Sequence, residues 1–255
     1  SSDAPLLQLN LFKSRTYVAS AVIGFVFGAG MFGSLYIVPV MVQTVQGFTA
    51  LKAGLMLLPG GLVSMLVFPI AGRLSTLVPP IYTIAFGLTA FGVSCFMLAG
   101  AGISTAFWTM AIMVAFGRIG LGLVVPSLNL CAMSAAPREL VPYAAGTLNF
   151  IRLTGASIGV STLALIIDSR IVGHGHTLRA TQTAENPVTR EMLTALARRL
   201  EIAGLSEIER AGAAMVYLKN ALLLKSHELA FQDGHLALGA LFVVGVATTM
   251  LMLRR

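Results

Sequence analysis

The sequence predicts an all-α integral membrane protein with six transmembrane helices. Five apolar stretches, each long enough to cross a bilayer, follow one another through the first two thirds of the chain, and a sixth lies near its end. A helix rises about 1.5 Å per residue, so about 20 apolar residues cross the hydrocarbon layer. The composition agrees, since 56% of the 255 residues are hydrophobic and only 11% are charged; about a quarter of a soluble domain is charged.

Clusters of polar residues set the boundaries of these stretches. The predicted spans cover residues 16–41, 50–74, 80–100, 106–133, 143–167 and 235–253. The chain is thereby divided into a cytoplasmic lead-in (1–15), five transmembrane helices (16–167), a long polar loop (168–234), and the sixth helix with a cytoplasmic end (235–255). The first residues read as a linker, so we expect the chain to be a piece of a longer polypeptide.

The basic residues predict which molecules the charged surface contacts and how the chain is oriented in the membrane. A net charge of +7 would suggest nucleic acid in a soluble protein, but here the basic residues lie in loops and at span ends, where lipid headgroups are the simpler partner. The short loops on one side carry Lys13, Arg15, Arg73, Arg138, Arg254 and Arg255. Those on the other side carry only Lys52. Because short cytoplasmic loops are enriched in Lys and Arg, both termini are predicted to be cytoplasmic, in a multi-pass protein of the cell membrane.

The loop 168–234 is then exterior or periplasmic, and it carries helical signals of its own. Asn186 and Pro187 are typical of a helix start, and Ser206 followed by Glu209 has the spacing of a capping box. Apolar residues recur at helical spacing after that cap, which predicts amphipathic helices rather than a span. These helices would form a structural lid on the bundle or the headgroups, or would act in gating or in docking a partner.

Two arginines lie inside predicted spans, where an ionisable group is expensive and normally faces protein or a water-filled cavity. Arg118 is near the middle of the fourth span, on the same helix face as Asn129. Arg152 is in the fifth span, one turn after Asn149. The pattern predicts a polar cavity shared by the two helices. The alternative is that each arginine extends its side chain to the cytoplasmic headgroups.

Glycine and proline positions predict helices that pack closely and bend. Two glycine pairs, Gly24 with Gly28 and Gly155 with Gly159, have the four-residue spacing that lets helices approach in lipid. Three prolines lie inside spans, where the missing backbone donor bends a helix; they are Pro59, Pro69 and Pro126. Such helices suit a transport cycle, with Pro59 and Pro126 as the flexing points.

No signature of an enzyme is present in the sequence. All ten Asp and Glu residues lie in loops or at span edges, so no buried carboxylate of this chain can carry protons. The motifs of metalloproteases, serine hydrolases and nucleotide-binding loops are missing too. His174 and His176 could pair on a metal, but a solvated loop is the simpler interpretation, and we expect neither a metal nor a cofactor. Cys95 and Cys131 lie in apolar stretches, where a thiol behaves as a small hydrophobe.

A series of short motifs runs through the chain in a fixed order. Its members are residues 6–15, Pro39, Gln43, Gly47, residues 53–55, Leu58-Pro59, residues 69–74, residues 120–122, Pro126, residues 136–138, residues 149–152, and Gly155 to Gly159. Together they resemble the C-terminal half of the fourteen-span drug:proton antiporters of the major facilitator superfamily, the EmrB/QacA type. The chain departs from that family after Leu74, where Ser75 to Pro80 replace an Asp and further basic residues.

The resemblance implies one six-helix half-bundle of a transporter, whose N-terminal half supplies the other helices and the proton-carrying carboxylates. We therefore predict the C-terminal bundle of a proton-coupled exporter of small amphipathic compounds. The substrate cavity would contain Arg118, Asn129, Asn149 and Arg152, with Gln43 and Tyr36 near its exterior mouth. Two alternatives remain open: an exporter of a specific metabolite or lipid, and a non-transporting scaffold whose exterior loop binds a partner protein.

Overall fold

The computed structural model describes residues 9–183, 186–202 and 206–253. Within these ranges every regular element is helical, and the α-helices are α1 (Arg15–Thr44), α2 (Ala50–Leu77), α3 (Pro80–Ala99), α4 (Phe107–Ser134), α5 (Val141–Ala180), α6 (Pro187–Ile202) and α7 (Glu207–Leu253). Two short 3-10 turns, Leu9–Lys13 and Arg138–Leu140, precede α1 and α5. Six of the helices, all but α6, are long and apolar enough to cross a membrane. The predicted all-helical, six-span architecture is confirmed.

Polar side chains fix where the first helices begin. The Ser14 hydroxyl accepts a hydrogen bond from the backbone N–H of Tyr17, at 3.4 Å, and starts α1. The Thr49 hydroxyl does the same for Lys52, at 3.3 Å, and starts α2. Between these helices Gly47 adopts a φ of +66°, a left-handed conformation that glycine adopts without steric cost. The chain therefore reverses direction within five residues.

The predicted start signals of α6 and α7 are also confirmed. The Asn186 side chain accepts a hydrogen bond from Val188 N–H at 3.0 Å, immediately before Pro187 opens α6. At α7 the Glu209 carboxylate accepts from the backbone N–H of Ser206 at 2.9 Å, and the Ser206 hydroxyl accepts from Glu209 N–H at 3.4 Å. These reciprocal bonds form the capping box that the sequence spacing predicted.

The start of α7 should respond to acid. Hydrogen bonds from the Ser206 hydroxyl and backbone N–H hold the pKa of the Glu209 carboxyl below its ordinary range. A lowered pKa means that this stabilisation is complete above the ordinary pKa and disappears as the pH falls through the lowered one. Hydrogen exchange of the first turn of α7, corrected for intrinsic rates, should therefore accelerate on acidification. We expect Glu209→Ala, which removes the acceptor, to exchange fast at every pH and Glu207→Ala to follow wild type. Identical profiles for Glu209→Ala and wild type would contradict the cap.

The helices α5 and α7 extend well beyond the predicted fifth and sixth spans. The sequence places the start of the sixth span at His235 and treats the amphipathic segment before it as separate, whereas α7 is one unbroken helix of 47 residues. The polar residues that interrupt the hydrophobic pattern are instead paired: Asp233 lies 3.4 Å from Arg170 and 2.8 Å from His174, both on α5. Because side chains of the neighbouring helix pair with Asp233, α7 continues through this polar segment without interruption. The end of the bundle from which α5 and α7 project is called the extended end.

The six long helices pack in a continuous arrangement. The helix α1 packs along α5 and α7, α3 packs along α4 and α7, and α2 packs mainly on α4. The core between them is apolar, with Phe27, Met110 and Phe242 among its largest fully buried side chains. By contrast α2 and α5 are the least covered of the six. The uncovered faces of α2 and α5 are therefore the surfaces of the bundle that can contact lipid or further helices.

Glycines set the crossing of α1 and α5. A Cβ atom added to Gly155 would collide with the backbone carbonyl of Phe25, and one added to Gly159 would collide with Ala29. The two backbones are therefore in direct contact, as the four-residue spacing of small residues allows.

A second close crossing, which the sequence analysis did not single out, joins α3 and α4. A Cβ atom on Gly87 would lie 2.6 Å from the carbonyl oxygen of Gly120, and the reciprocal substitution at Gly120 would also collide with Gly87. Two close helix contacts in the bundle, α1 with α5 and α3 with α4, thus depend on glycine, which has no Cβ atom.

Candidate functional site

Arg152 lies on α5 at its crossing with α1. Its guanidinium Nη2 donates a hydrogen bond to Oδ1 of Asn149, one turn earlier on the same helix. The stem of the side chain runs past Gly28 of α1, where an added Cβ atom would lie 3.1 Å from Arg152 Cγ. Arg152 is half-buried and Asn149 is exposed. The structure thus joins two of the predicted cavity residues into one polar pair that faces away from the apolar core.

Arg118 lies between α4 and α2. A Cβ atom on Gly60 of α2 would lie 2.9 Å from Arg118 Cγ, so the absence of a side chain at Gly60 makes room for the arginine. Arg118 is half-buried, and it forms no ion pair with any carboxylate in the described ranges. A charge at this depth requires hydrogen-bond acceptors from its surroundings.

The two arginines therefore occupy different seams of the bundle. The stem of Arg118 lies against α2, while the stem of Arg152 lies against α1, and α4 and α5 pack on each other far less than on their main neighbours. No hydrogen bond between described residues connects the arginines. The shared cavity between the fourth and fifth spans stays a prediction.

The remaining predicted site residues are distributed along the helices. Asn129 is half-buried near the end of α4, and Tyr36 is half-buried against the core. Gln43 is exposed, and its Nε2 donates to the carbonyl oxygen of Pro39 at 3.0 Å, in its own helix. The helices α2 and α4 continue without interruption through Pro59 and Pro126, whose role as flexing points remains a prediction.

Two glutamines that the sequence analysis missed hold the loop between α3 and α4. Gln46, just beyond α1, donates from Nε2 to the carbonyl oxygens of Gly102 and Thr105, at 2.9 and 3.0 Å. Gln232 of α7 donates to the carbonyl oxygen of Ala101 at 3.0 Å. These bonds satisfy three loop carbonyls at the extended end. Local sequence gives no signal of them, because the partners of Gln46 lie 56 and 59 residues away.

The histidines of the long loop belong to a continuous helix. His174 lies on α5, with Nε2 2.8 Å from Asp233 of α7, and Arg170 adds a second contact to the same carboxylate at 3.4 Å. Among the described residues no group of three or more His, Cys, Asp or Glu side chains could hold a metal ion. His174 therefore acts as a helix-to-helix contact in this structure.

Six helices that are long and apolar enough to cross a membrane, with Arg118 and Arg152 far from the ends of two of them, are typical of a polytopic membrane protein. Residues 2–160 match the sequence profile of the Major Facilitator Superfamily, and the chain belongs to that superfamily. The superfamily, together with relatives that are themselves named transporters, indicates a transporter and not an enzyme.

Several relatives are drug-resistance proteins. The chain is 27% identical over 169 residues to the Methylenomycin A resistance protein of Streptomyces coelicolor, covering 65% of this chain and 35% of that protein. It is 27% identical over 172 residues to the MFS-type transporter YhcA of Bacillus subtilis, covering 68% and 32%. It is 24% identical over 216 residues to the Colistin resistance protein EmrB of Acinetobacter baumannii, covering 84% and 41%. The chain thus spans about a third of the length of the first of these curated relatives.

Proposed function

We propose that this chain is the C-terminal six-helix bundle of a proton-coupled exporter of amphipathic compounds, of the fourteen-span type, in the plasma membrane. The observation that carries the proposal is the Arg152–Asn149 pair on the poorly covered face of α5. A second set of helices, the N-terminal half of the transporter, would lie against that face.

The depth of Arg152 supports this assignment. It lies 11 residues after Val141, where α5 begins, which corresponds to about 16 Å along the helix axis. That distance is about half of a hydrocarbon layer of about 30 Å. A cation and an amide exposed at such a depth are costly against lipid tails, so they normally face a water-filled cavity or protein. A substrate cavity between two transporter halves provides both.

The exposed face of α2 fits the same arrangement. Large apolar side chains along this helix are more than half exposed, including Leu51, Leu62 and Met65 at 75%, 55% and 73%. In a membrane protein such a surface contacts lipid or another helix bundle. Together α2 and α5 supply the uncovered surface that a half-bundle needs.

Proton coupling would depend on the other half. Among the residues that the structure describes, every Asp and Glu lies in the turn before α5, on α6 or on the projecting parts of α5 and α7. The carboxylate that takes up and releases the proton would therefore come from the N-terminal half, and the guanidinium of Arg152 is the group of this chain best placed to pair with it.

The names of the relatives favour amphipathic drugs as the exported compounds, since proteins similar to this chain confer resistance to methylenomycin A and to colistin. The test is to express the full-length protein in a drug-susceptible strain and measure dye and drug efflux with the proton gradient intact and collapsed. Efflux of several unrelated compounds that stops with the gradient is expected. Export of a single metabolite would favour the alternative of an exporter for one specific metabolite or lipid. No efflux of any compound, with the gradient either intact or collapsed, would favour the non-transporting scaffold.

The proposed orientation places both termini in the cytoplasm and the extended end outside. In a background with Cys95 and Cys131 replaced by alanine, Thr177→Cys should react with an impermeant maleimide added to intact cells. Thr76→Cys should not react until the cells are opened. Both positions are exposed, so a difference in labelling reports the side of the membrane and not burial. The opposite labelling pattern would reverse the orientation.

A further inference from the structure

A small polar cavity lies inside the bundle where α1, α3, α4 and α7 meet. Its volume is about 10 Å³. The polar groups on its wall come one or two from each helix: Ser34, Ser94, Cys95, Arg118 and His235. An apolar cavity of this size would stay dry, but a polar one of about one probe sphere, 10 to 15 Å³, can hold a water molecule with two to four partners.

His235 is the strongest indication that this cavity binds something. The residue is only 1% exposed. Its Nδ1 lies 2.9 Å from the carbonyl oxygen of Phe231, and because a carbonyl only accepts, Nδ1 must carry the hydrogen. The other ring nitrogen, Nε2, is buried and has no hydrogen-bond partner among the described residues. In the neutral ring Nε2 is an acceptor, and a buried acceptor without a donor destabilises the folded protein.

The hydroxyls on the cavity wall do not supply the missing donor. The Ser34 hydroxyl donates to the carbonyl oxygen of Met31 at 2.9 Å, and the Ser94 hydroxyl donates to the carbonyl oxygen of Met113 at 2.7 Å. The thiol of Cys95 is a weak donor. Arg118 also lines the cavity, and of the lining side chains only its guanidinium is a strong donor that lacks an acceptor among the described residues.

We propose that this cavity is a binding site for one ordered water molecule that connects His235 to Arg118. The water would donate one hydrogen to His235 Nε2 and accept a hydrogen bond from the Arg118 guanidinium. Its second hydrogen can go to a hydroxyl oxygen of Ser34 or Ser94, each of which retains acceptor capacity. His235 is thus a positioning residue that ties the intramembrane charge of α4 to α7.

The charges on the wall favour a neutral His235. The titratable and charged groups facing the cavity are Arg118 on α4, Cys95 on α3 and His235 on α7, and α1 contributes the hydroxyl of Ser34. No carboxylate lines the cavity within the described residues. A protonated imidazole would face the positive Arg118 with no compensating anion. The cavity therefore fits a neutral His235 that accepts a hydrogen bond, and not a histidine that carries a proton during transport.

A double-mutant cycle on the full-length protein tests the bridge. The melting temperature would be measured for wild type, His235→Leu, Arg118→Met and the double variant, since a shared water couples the two positions. We expect the double variant to lose no more than the larger single loss. The control cycle pairs His235→Leu with Arg152→Met, which lies on a different seam, and should be additive. Additive losses in both cycles would overturn the proposal.

Nitrogen NMR on the folded wild-type protein gives a second measurement if the double variant does not fold. With ¹⁵N-labelled histidine, the His235 signal is identified by its loss in His235→Gln. The expected result is a hydrogen-bonded Nε2 with magnetisation transfer from a water proton. A Nε2 with no transfer from water, in a protein whose other histidines show it, would also overturn the proposal.

Discussion

The Arg152→Ala variant of the full-length protein is expected to lose proton-driven efflux by about two to three orders of magnitude. Removing one partner of a buried ion pair leaves the other charge unpaired, which typically costs about 3 to 5 kcal/mol, and each ~1.4 kcal/mol corresponds to a tenfold change. If the partner is the proton-carrying carboxylate of the other half, loss of the cation should also raise the pKa of that carboxylate. The pH optimum of transport should therefore move upward.

The lysine variant separates charge from geometry. Arg152→Lys keeps the positive charge but loses the planar fork that grips a carboxylate with two hydrogen bonds and that now reaches Asn149. We expect partial activity and a smaller shift of the pH optimum. Arg138→Ala, on an exposed arginine of the loop before α5, is the matched control and should behave as wild type. Superimposable pH profiles for wild type, Arg152→Ala and Arg152→Lys at equal expression would remove Arg152 from the site.

The Gly155→Ala variant is expected to destabilise the bundle by about 3 kcal/mol, the upper part of the usual range for overpacking. A single methyl group there collides with the backbone carbonyl of Phe25, which cannot rotate away as a side chain can. The helices α1 and α5 would have to separate, and Arg152, one turn away, would move with them. Thermal unfolding in detergent and resistance to proteolysis measure the loss.

Gly146 on the same helix provides the control. An added Cβ atom there meets no atom within 4 Å, and alanine is favoured over glycine in a helix by about 1 kcal/mol. Gly146→Ala should therefore be neutral or stabilising. Equal unfolding temperatures for the Gly155 and Gly146 variants would mean that the crossing of α1 and α5 does not depend on glycine.

Features encoded over one or two helical turns could be predicted from the sequence. The capping box of Ser206 and Glu209 depends on residues three positions apart, and the spacing of Gly155 and Gly159 places both on one helix face. The six long helices followed from the length of the apolar stretches. In each case the physical cause, a local hydrogen bond or a helix periodicity, is complete within a short segment.

Features that depend on a distant partner could not be predicted in the same way. Asp233 resembles a polar residue that ends a span, because its partner His174 lies 59 residues earlier in the chain. The length of α7 was underestimated for that reason. His235 was assigned only as the first residue of the sixth span, since nothing near it in sequence indicates that Arg118 shares its cavity. Similarly, the separate seams of Arg118 and Arg152 depend on Gly60 and Gly28, which lie on other helices.

The continuity of α7 makes this helix a lever. Its 47 residues correspond to a rod of about 70 Å, of which about 40 Å precedes His235. The contacts of Asp233 with α5 and of Gln232 with the loop after α3 lie close to the point where the two parts meet, so a tilt of the helix would turn about this point. A tilt of about 10° in the inner part would swing the far end through about 7 Å, by the same helix dimensions. A rearrangement that tilted α7 within the bundle would therefore displace the surface that α6 and the start of α7 present.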